Sequence, residues 1–373
     1  MPADSRDVIL KVRNLRKYYP IESGPLRRVT GHVKAVDDVS FDLHRGEVLG
    51  LVGESGCGKT TLGRCLIRAI DPTGGEVLLT PGDGEGVDLA TADKAELRRR
   101  RPLLSMVFQD PFSSLSPRMT VRDIIGEPLR AQGVRKRDIE KRVIDLAQLV
   151  GLNPGHLSRY PNAFSGGQRQ RICIARALIS DPVLIVADEP VSALDVSIQA
   201  QILNLLQRLQ RDMNLSYIFV AHDLSVVEHI ADRVAVMYVG KIVELAETED
   251  LYGRPRHPYT EALLSAVPKP DPFLDDDTIV LQGEIASPAH PPSGCYFHPR
   301  CPYAQAICST EAPALREVAP GHQAACHFAE QLNLRGVGSM AIVNGAVDPE
   351  RVEVGPSIVP LEISAPASKE SDH

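Results

Sequence analysis

The sequence predicts an α/β protein with a mixed β core, an inserted helical region and a small cysteine-containing module toward its C-terminal end. Three observations lead to this prediction. Short, fully apolar runs end in polar residues, as buried parallel strands do. A glycine-rich segment separates a predicted strand from a predicted helix. Four cysteines lie close together in proline-rich sequence.

The first predicted elements are two strands, a loop and a helix. Residues 33–52 alternate and then run apolar, with a break at His44 to Glu47, which predicts two strands joined by a turn. The second strand ends at GESGCGKT, and Leu62, Leu66 and Ile70 then follow at helical spacing. Strand, glycine-rich loop and helix in this order are the context that a phosphate-binding loop requires.

The residues of this loop have the chemistry to bind phosphate. Glycines let successive backbone N–H groups curl around an anion at a helix start. Lys59 is predicted to reach the β and γ phosphates as a point charge, and the Thr60 hydroxyl to complete the coordination of Mg²⁺. The alternative is a chance glycine turn, which the flanking strand and helix disfavour. The residues predicted to bind nucleotide here are Gly53, Glu54, Ser55, Gly56, Cys57, Gly58, Lys59, Thr60 and Thr61.

A helical region and a second anion-binding helix start are predicted between the two halves of the core. The sequence FSGGQRQR places Ser165, Gly166 and Gly167 directly before a predicted helix over residues 168–178. One phosphate loop already surrounds one triphosphate, so a second such site needs a second nucleotide or a second chain. The motif alone is weak, because such turns are common before helices.

Two short apolar runs, VLIVADEP and YIFVAHDL, predict buried parallel strands that deliver polar residues at their carboxyl ends. Adjacent side chains on a strand point to opposite sides, so Asp188 and Glu189 can have different tasks. Asp188 suits the Mg²⁺ shell, and Glu189 is placed to polarise an attacking water. The alternative is that both acids only cap the next helix, but the phosphate loop favours the catalytic interpretation.

The cysteines favour a metal centre over a disulfide framework, because the chain is expected to stay in a reducing compartment. Four of them have five, six and seventeen residues between successive members, and four thiolates could hold one metal centre. The spacing leaves tetrahedral zinc and four free buried thiols open. Cys57 lies at a helix start, which can lower a thiol pKa, although a small tolerated side chain is the favoured interpretation there. The clustered cysteines are Cys295, Cys301, Cys308 and Cys326.

These observations give predicted domain boundaries. Residues 1–267 are expected to form the nucleotide-binding core, with the helical region over about 110–180. From Pro268 the texture becomes proline-rich, and residues 268–330 are predicted to be a separate small module. Residues 331–373 are rich in Ala, Val, Pro, Ser and Gly with little periodicity, and are predicted to be a flexible tail.

The composition excludes several classes of protein. Of 373 residues, 43% are hydrophobic and 24% charged, which is typical of a globular chain. The net charge of −7 shows no basic footprint, so no nucleic-acid partner is expected. No segment approaches the ~20 apolar residues that cross a bilayer, and the start MPADSRDVIL lacks the apolar stretch of a signal peptide. A cytosolic chain is therefore expected, with any membrane role arising from binding to other subunits.

Taken in order along the chain, these motifs resemble those of ATP-binding-cassette (ABC) ATPases, which are P-loop NTPases with a mixed β core and a helical subdomain. The resemblance covers roughly residues 8–265. Phe164 replaces the commoner leucine of the signature motif and keeps an apolar anchor. The matching positions are Tyr19 for adenine stacking, Gln109 for the glutamine loop, Phe164 to Gln168 for the signature, Asp195 for the loop after the catalytic strand, and His222 for the switch histidine.

The resemblance implies that two such domains pair head to tail, so that the phosphate loop of one and the signature of the other enclose each ATP. The partner would be a second ABC ATPase subunit, homologous or identical. Glu189 would act as base, and His222 would contact the γ phosphate. The implied Mg²⁺ positions are Thr60, Gln109 and Asp188, and the implied signature contacts are Ser165, Gly166, Gly167 and Gln168.

More specific sequences, namely FQDPFSSLSPRMTV, GKIVELAETEDLY and RHPYTEALLSAVP, resemble ATPases of dipeptide and oligopeptide importers. This branch also includes subunits for nickel and for glutathione. It implies two membrane permeases, an extracytoplasmic substrate-binding protein and a peripheral place on the cytoplasmic face of the membrane. Pro111 to Met119 resembles the surface that receives a helix from each permease.

The segment GCYFHPRCPYAQAIC with the later AACHF resembles the C-terminal module of the same branch. The resemblance favours a [4Fe–4S] cluster on the four clustered cysteines, while zinc stays open. The main rival to a transporter is a soluble cassette ATPase of DNA repair or translation. Neither the inserted zinc modules or coiled coils of the former nor the second cassette of the latter is visible. A simple phosphate-loop kinase would leave the signature and His222 without a purpose.

Overall fold

The computed structural model describes residues 7–24, 27–82, 86–267 and 278–337. The strands are β1 Val8–Ser23, β2 Arg28–His44, β3 Val48–Val52, β4 Gly74–Leu79, β5 Val87–Asp88, β6 Leu104–Val107, β7 Leu184–Asp188, β8 Ser216–Val220, β9 Arg233–Tyr238, β10 Lys241–Glu247, β11 Arg316–Ala319 and β12 His322–Ala324. The helices are α1 Lys59–Leu66, α2 Lys94–Arg100, α3 Val121–Ala131, α4 Lys136–Leu149, α5 Gly166–Leu178, α6 Val196–Met213, α7 Leu224–Glu228, α8 Thr248–Gly253, α9 Pro258–Ser265 and α10 Ala306–Thr310.

Two sheets form the core. The larger has eight strands in the order β11-β12-β10-β9-β3-β8-β7-β6, and the smaller has four in the order β2-β1-β4-β5. Strands β9, β3, β8, β7 and β6 are mutually parallel, whereas β10, β12 and β11 join antiparallel. Every residue of β3, β7 and β8 is buried, as expected for parallel strands covered on both faces. The predicted α/β fold with a mixed core is confirmed.

Helix α1 lies between the two sheets, and its apolar residues explain why. Leu62, Cys65 and Leu66 are fully buried in one cluster with residues of both sheets. Gly63 faces β7 so closely that a Cβ there would lie 2.8 Å from Val186. This packing fixes the start of α1 against the carboxyl ends of the parallel strands.

The segment between β6 and β7 is helical, and its three α-helices pack through one apolar cluster. Thr120 caps α3 by accepting from the Asp123 N–H, and Gly126 of α3 lies where a Cβ would be 2.7 Å from Ile139 of α4. Helix α5 begins after Ser165 and carries Ile172 and other buried residues into the same cluster. The signature sequence therefore begins a helix that is anchored in this region.

The cysteine-containing segment is not a separate layer. Strand β12 pairs with β10 through Glu244 and Ala324, so β11 and β12 extend the larger sheet. The predicted module from residue 268 thus shares a sheet with the core, and this long-range strand pairing leaves no local signal in the sequence. Residues 268–277 lie outside the described part of the chain.

The first residues of the predicted tail lie in the described part of the chain. Leu334 is buried, and the Arg335 N–H donates to Glu261 of α9 at 2.8 Å. Residues 331–337 thus contact the core, although their few apolar residues follow no strand or helix period along a longer segment. The rest of the predicted tail, residues 338–373, lies outside the described residues. Within the described ranges, no helix is both long and apolar enough to cross a membrane.

Candidate functional site

The loop between β3 and α1 has a backbone that requires glycine at two positions. Gly53 and Gly58 adopt φ values of +149° and +108°. A Cβ would lie 2.1 Å from the Met237 carbonyl oxygen at the first position and 2.0 Å from the Ala35 carbonyl oxygen at the second. The neighbouring backbone therefore excludes any side chain there, and the loop closes tightly over the start of α1.

Lys59 is the first residue of α1, and its side chain lies inside the loop. The residue is 5% exposed, and its ammonium group donates to the carbonyl oxygens of Gly53 at 2.5 Å and Glu54 at 3.0 Å. A fixed positive charge thus lies beside the free N–H groups of a helix start. This combination of charge and helix dipole suits a phosphate group.

Asp188 and Thr60 are brought together from β7 and α1. The Thr60 hydroxyl donates to Asp188 Oδ1 at 2.9 Å, and Asp188 is 1% exposed. Burial raises the pKa of Asp188, while the Thr60 hydrogen bond and the charges of Arg64 and Lys59 act in the opposite direction. A carboxylate next to a hydroxyl is an oxygen donor set of the kind that Mg²⁺ prefers.

Glu189 lies at the centre of three residues that follow neighbouring parallel strands. Gln109 comes after β6, Glu189 directly after β7, and His222 after β8. Gln109 Nε2 donates to Glu189 Oε2 at 2.9 Å, and His222 Nδ1 lies 3.2 Å from the same oxygen. Glu189 has a φ of +45°, and its N–H donates to the Val220 carbonyl at 2.9 Å. The carboxyl ends of the parallel strands therefore gather the three residues.

The signature residues form a well-defined helix start on the surface. Ser165 Oγ accepts from the Gln168 N–H at 3.4 Å, and Gln168 Oε1 accepts from the Ser165 N–H at 3.1 Å. This reciprocal capping box fixes the first turn of α5. Gly167 approaches α6, where a Cβ would lie 2.7 Å from Ile198, and Gly166 is half-buried. In the described part of the chain, no hydrogen bond or ion pair joins residues 165–168 to Glu189 or to loop 53–58.

Three other predicted positions are also placed by the fold. Tyr19 is half-buried on β1 opposite Val33 of β2, with the Lys17 ammonium 4.8 Å from its ring centroid. Asp195 is exposed directly before α6. Cys57 is 3% exposed, and burial raises its pKa despite the nearby charge of Lys59. Desolvation therefore outweighs the helix start and the lysine at this thiol, whose small side chain fills a buried position.

The four clustered cysteines line one small cavity, together with Phe297 and His257. Burial raises the pKa of Cys301 to about 12 and that of Cys326 to about 11, with further contributions from the other thiols. The Cys295 N–H donates to the Cys308 carbonyl at 2.8 Å, which ties two of the four segments together. Over the ranges that the structure describes, no three Cys, His, Asp or Glu side chains are arranged to hold a single metal ion.

Two contacts of this segment were not predicted from the sequence. Arg300 forms a bidentate ion pair with Glu54 of the loop. His322 Nε2 lies 2.7 Å from Oε1 of the fully buried Glu244. Arg300 and His322 lie between the cysteines in sequence, but nothing local indicates partners this distant. Only the folded sheet brings them together.

The fold and these residues define a class, the ATP-binding cassettes of ABC transporters. The ABC transporter family model matches residues 36–192, and the model of the oligopeptide/dipeptide transporter C-terminal region matches residues 243–308. Among solved structures, the dimeric bacterial ABC transporter cassette MJ0796 is 27% identical with a TM-score of 0.56, covering 64% of this chain and 99% of that one. The ABC transporter protein cbiO1 from Clostridium perfringens is 25% identical with a TM-score of 0.57, covering 66% of this chain and 91% of that one.

Curated relatives narrow the class. The oligopeptide transport ATP-binding protein AppF of Bacillus subtilis is 53% identical over 332 residues, 88% of this chain and 99% of the relative. The probable peptide ABC transporter ATP-binding protein y4tS of Sinorhizobium fredii is 50% identical over 354 residues, 95% of this chain and 99% of the relative. The chain belongs to the ATP-binding subunits of oligopeptide/dipeptide ABC transporters, and it is an ATPase of that family.

Proposed function

We propose that this subunit drives the import of dipeptides or oligopeptides from the cytoplasmic face of the membrane, to which it binds peripherally. Two separate permeases would form the pathway, and an extracytoplasmic binding protein would deliver the peptide. The relatives with peptide-import names and the matched C-terminal region support this cargo. The observation that carries the ATPase mechanism is that Gln109 and His222 both contact the carboxylate of Glu189.

The triphosphate site is proposed to be loop 53–58 with the start of α1. Backbone N–H groups of the loop and the ammonium of Lys59 would bind the phosphates, and Thr61 would continue the helix start. Tyr19 would stack on the adenine. Thr60 and Asp188, with Gln109, would hold Mg²⁺, which supplies charge neutralisation at the phosphates when it is bound. The 2.9 Å contact between Thr60 and Asp188 supports this donor set.

Hydrolysis is proposed to depend on Glu189 as general base. Its carboxylate would take a proton from water as the water oxygen bonds to the γ phosphorus and the bond to the bridging oxygen breaks. Gln109 donates to the same carboxylate and His222 lies beside it, so both orient Glu189 relative to the attacking water. The hydrogen bond from Glu189 N–H to Val220 fixes the backbone beneath this group.

A second ABC ATPase subunit is proposed to complete the site. Ser165, Gly166, Gly167 and Gln168 present a helix start at the surface of α5, and Asp195 is exposed at α6. These residues would close over ATP on the partner, and the partner's signature over ATP on this chain. The dimeric solved cassette supports the arrangement.

The proposed permease surface lies in the segment Pro111 to Met119. Phe112 is 56% exposed, with the Arg169 guanidinium 4.3 Å from its ring centroid. Ser114 of the same segment accepts from Arg176 of α5 at 2.7 Å. This surface therefore contacts the helix that carries the signature, which would link permease movement to the ATP site.

The cysteine cavity is proposed to hold a [4Fe–4S] cluster on Cys295, Cys301, Cys308 and Cys326, which would supply a rigid cross-link among four chain segments. All four line one cavity, which supports a shared group. Zinc requires its ligands around one point, whereas the four thiolates of a cluster bind four separate irons. Anaerobic purification with iron, sulfide and zinc analysis tests this proposal. Iron and sulfide near four each per chain are expected, and the absence of all three elements contradicts any metal centre.

Peptide uptake into vesicles tests the transport function. The chain would be assembled with its permeases, its partner ATPase and the binding protein, and labelled peptide uptake followed with and without ATP. We expect ATP-dependent uptake that Lys59→Ala abolishes and that Lys141→Ala, at an exposed position of α4, leaves unchanged. Recovery of the chain with ribosomes or DNA instead of two polytopic membrane proteins would contradict the proposal.

A further inference from the structure

Glu54, in the loop after β3, is held by a residue of the cysteine-containing segment. Arg300 donates from both terminal nitrogens to the two carboxylate oxygens of Glu54, at 2.7 and 3.0 Å. The Arg300 side chain is 7% exposed and that of Glu54 is 24% exposed. Two parallel hydrogen bonds between a guanidinium and a carboxylate fix orientation as well as charge. The pair therefore ties the cysteine-containing segment directly to the loop.

The main chain of Glu54 is engaged as well. Its N–H donates to the Tyr259 hydroxyl at 2.8 Å, and its carbonyl accepts from the Lys59 ammonium at 3.0 Å. Tyr259 is fully buried and packs against Phe297, with ring centroids 5.4 Å apart. The position of Glu54 thus sets the position of a carbonyl that holds Lys59. A shift of Glu54 that follows a change at its carboxylate would therefore alter the position of the Lys59 ammonium.

The charges of the Arg300–Glu54 pair also affect the binding of an anion to the loop. The loop binds a triphosphate, and a free carboxylate in the same loop would repel that anion. The guanidinium of Arg300 cancels the negative charge of Glu54 where solvent screening is reduced. Without Arg300, Glu54 would add repulsion to the nucleotide site and would lose one of its restraints.

The backbone of Arg300 is fixed by the segment that carries the cysteines. Arg300 ends the short turn His298–Arg300, and its N–H donates to the Phe297 carbonyl at 3.0 Å. Its guanidinium lies 6.0 Å from the ring centroid of Tyr238 at the end of β9. Cys301 follows directly. The fold around the cysteines thus places this guanidinium against the loop.

We propose that Arg300 is a positioning residue for ATP, which orients and neutralises Glu54 so that the cysteine-containing segment contributes to nucleotide affinity. The inference rests on the proposed function of loop 53–58 as the ATP site. Arg300 contacts none of Gln109, Glu189 and His222 among the described hydrogen bonds and ion pairs. Its loss should therefore raise the KM for ATP and leave kcat largely unchanged.

Equilibrium binding of ATP with Mg²⁺ to the full chain tests the proposal, with four variants: Arg300→Gln, Arg300→Lys, Glu54→Gln and the double variant Glu54→Gln with Arg300→Gln. We expect Arg300→Gln to weaken binding about tenfold and Arg300→Lys to weaken it less, because lysine keeps the charge and loses the fork. Glu54→Gln should weaken binding less than Arg300→Gln does, because it removes the repelling carboxylate together with the ion pair. The double variant should bind ATP more tightly than Arg300→Gln alone, because no uncompensated carboxylate is left in the loop.

Two results would overturn the proposal. One is ATP binding by Arg300→Gln within about twofold of the unchanged chain. The other is a double variant that binds as weakly as Arg300→Gln while both unfold at the same temperature. Should Arg300→Gln not fold, Arg300→Lys carries the test, and unchanged binding by it overturns the proposal. Equal binding by Lys59→Ala and the unchanged chain would instead contradict the proposed ATP site.

Discussion

Asp188 and Glu189 are neighbours in the chain, yet their carboxylates have different partners. Asp188 is buried and accepts from Thr60, whereas Glu189 is in contact with Gln109 and His222. Glu189 has a positive φ, so the chain turns at the end of β7 and directs the second carboxylate away from the first. Two adjacent acids can therefore hold a cation and activate water without competing for one position.

Cys57 provides a test of the electrostatics of the loop. Burial raises its pKa, so the reactive thiolate is scarce at neutral pH and increases only as the pH rises toward that higher pKa. Iodoacetamide at about pH 7.5 should leave Cys57 of the folded chain largely unmodified, while the chain unfolded in urea reacts fully. Mass spectrometry of the peptide containing Cys57 measures both. Rapid modification of the folded chain at neutral pH would contradict the burial of this thiol.

Residues that belong to local motifs could be located from the sequence. The positions of Lys59, Asp188 and Glu189 follow from strand ends and a glycine-rich loop, and the structure gathers them at one edge of the sheet. Arg300 could not be predicted, because its partner lies 246 positions away and an arginine beside a cysteine has no characteristic spacing. The raised pKa of Cys57 could not be predicted either, because burial is a property of the fold.

At the scale of elements, the loop between β3 and α1 is shaped by close backbone contacts. Gly53 and Gly58 lie where carbonyl oxygens of β9 and of β2 leave no room for a Cβ. Gly56 also has a positive φ, of +81°, but no atom lies within 4 Å of its Cβ position. A side chain at Gly53 or Gly58 would therefore meet both a backbone collision and an unfavourable φ, whereas one at Gly56 would meet the unfavourable φ alone.

Substitution by alanine distinguishes these two effects. Gly58→Ala should lower the free energy of unfolding by about 3 kcal/mol or more and abolish ATP binding, because strain and a backbone collision add. Gly56→Ala should cost about 1 kcal/mol, from the positive φ alone. Urea unfolding and ATP titration of the two variants provide the comparison. Equal losses of stability would show that the contact with Ala35 does not shape the loop.

The elements differ in how far the sequence predicts them. The order β3, loop and α1 has a local signal in apolar runs, glycines and helical spacing. The attachment of β11 and β12 to the larger sheet has none, since both strands are short, β12 pairs with β10 across a long sequence separation, and β11 joins through β12. The packing of residues 331–337 on α9 depends on the burial of Leu334 and on a hydrogen bond from the Arg335 N–H to Glu261. No hydrophobic periodicity in the sequence predicts either contact.

At the scale of the whole molecule, residues 7–337 are organised around one large sheet and its neighbour, with gaps only at the undescribed segments. The cysteine-containing segment contacts this core at the sheet edge, through Glu244 and His322, and at the loop, through Glu54 and Arg300. Glu244 is fully buried and also accepts from the N–H groups of Arg256 and His257. The segment is therefore joined to the core by polar side chains that are buried or half-buried.

Removal of one of these groups should destabilise the chain. His322→Ala leaves the buried carboxylate of Glu244 with its two backbone donors only, and should lower the free energy of unfolding by about 3 kcal/mol. The matched control is Arg316→Ala on the neighbouring strand β11, which breaks an exposed ion pair with Glu330 and should change little. Thermal and urea unfolding measure both variants. A neutral His322→Ala would show that the sheet edge does not depend on this contact.

Steady-state ATP hydrolysis by the assembled transporter carrying Glu189→Gln tests whether water activated by Glu189 cleaves ATP held at Lys59. We expect this variant still to bind ATP with an affinity near that of the unchanged chain. Hydrolysis at this subunit should fall about a hundredfold or more, because the general base is lost. ATP turnover by the Glu189→Gln transporter at the rate of the unchanged one would show that Glu189 is not the general base.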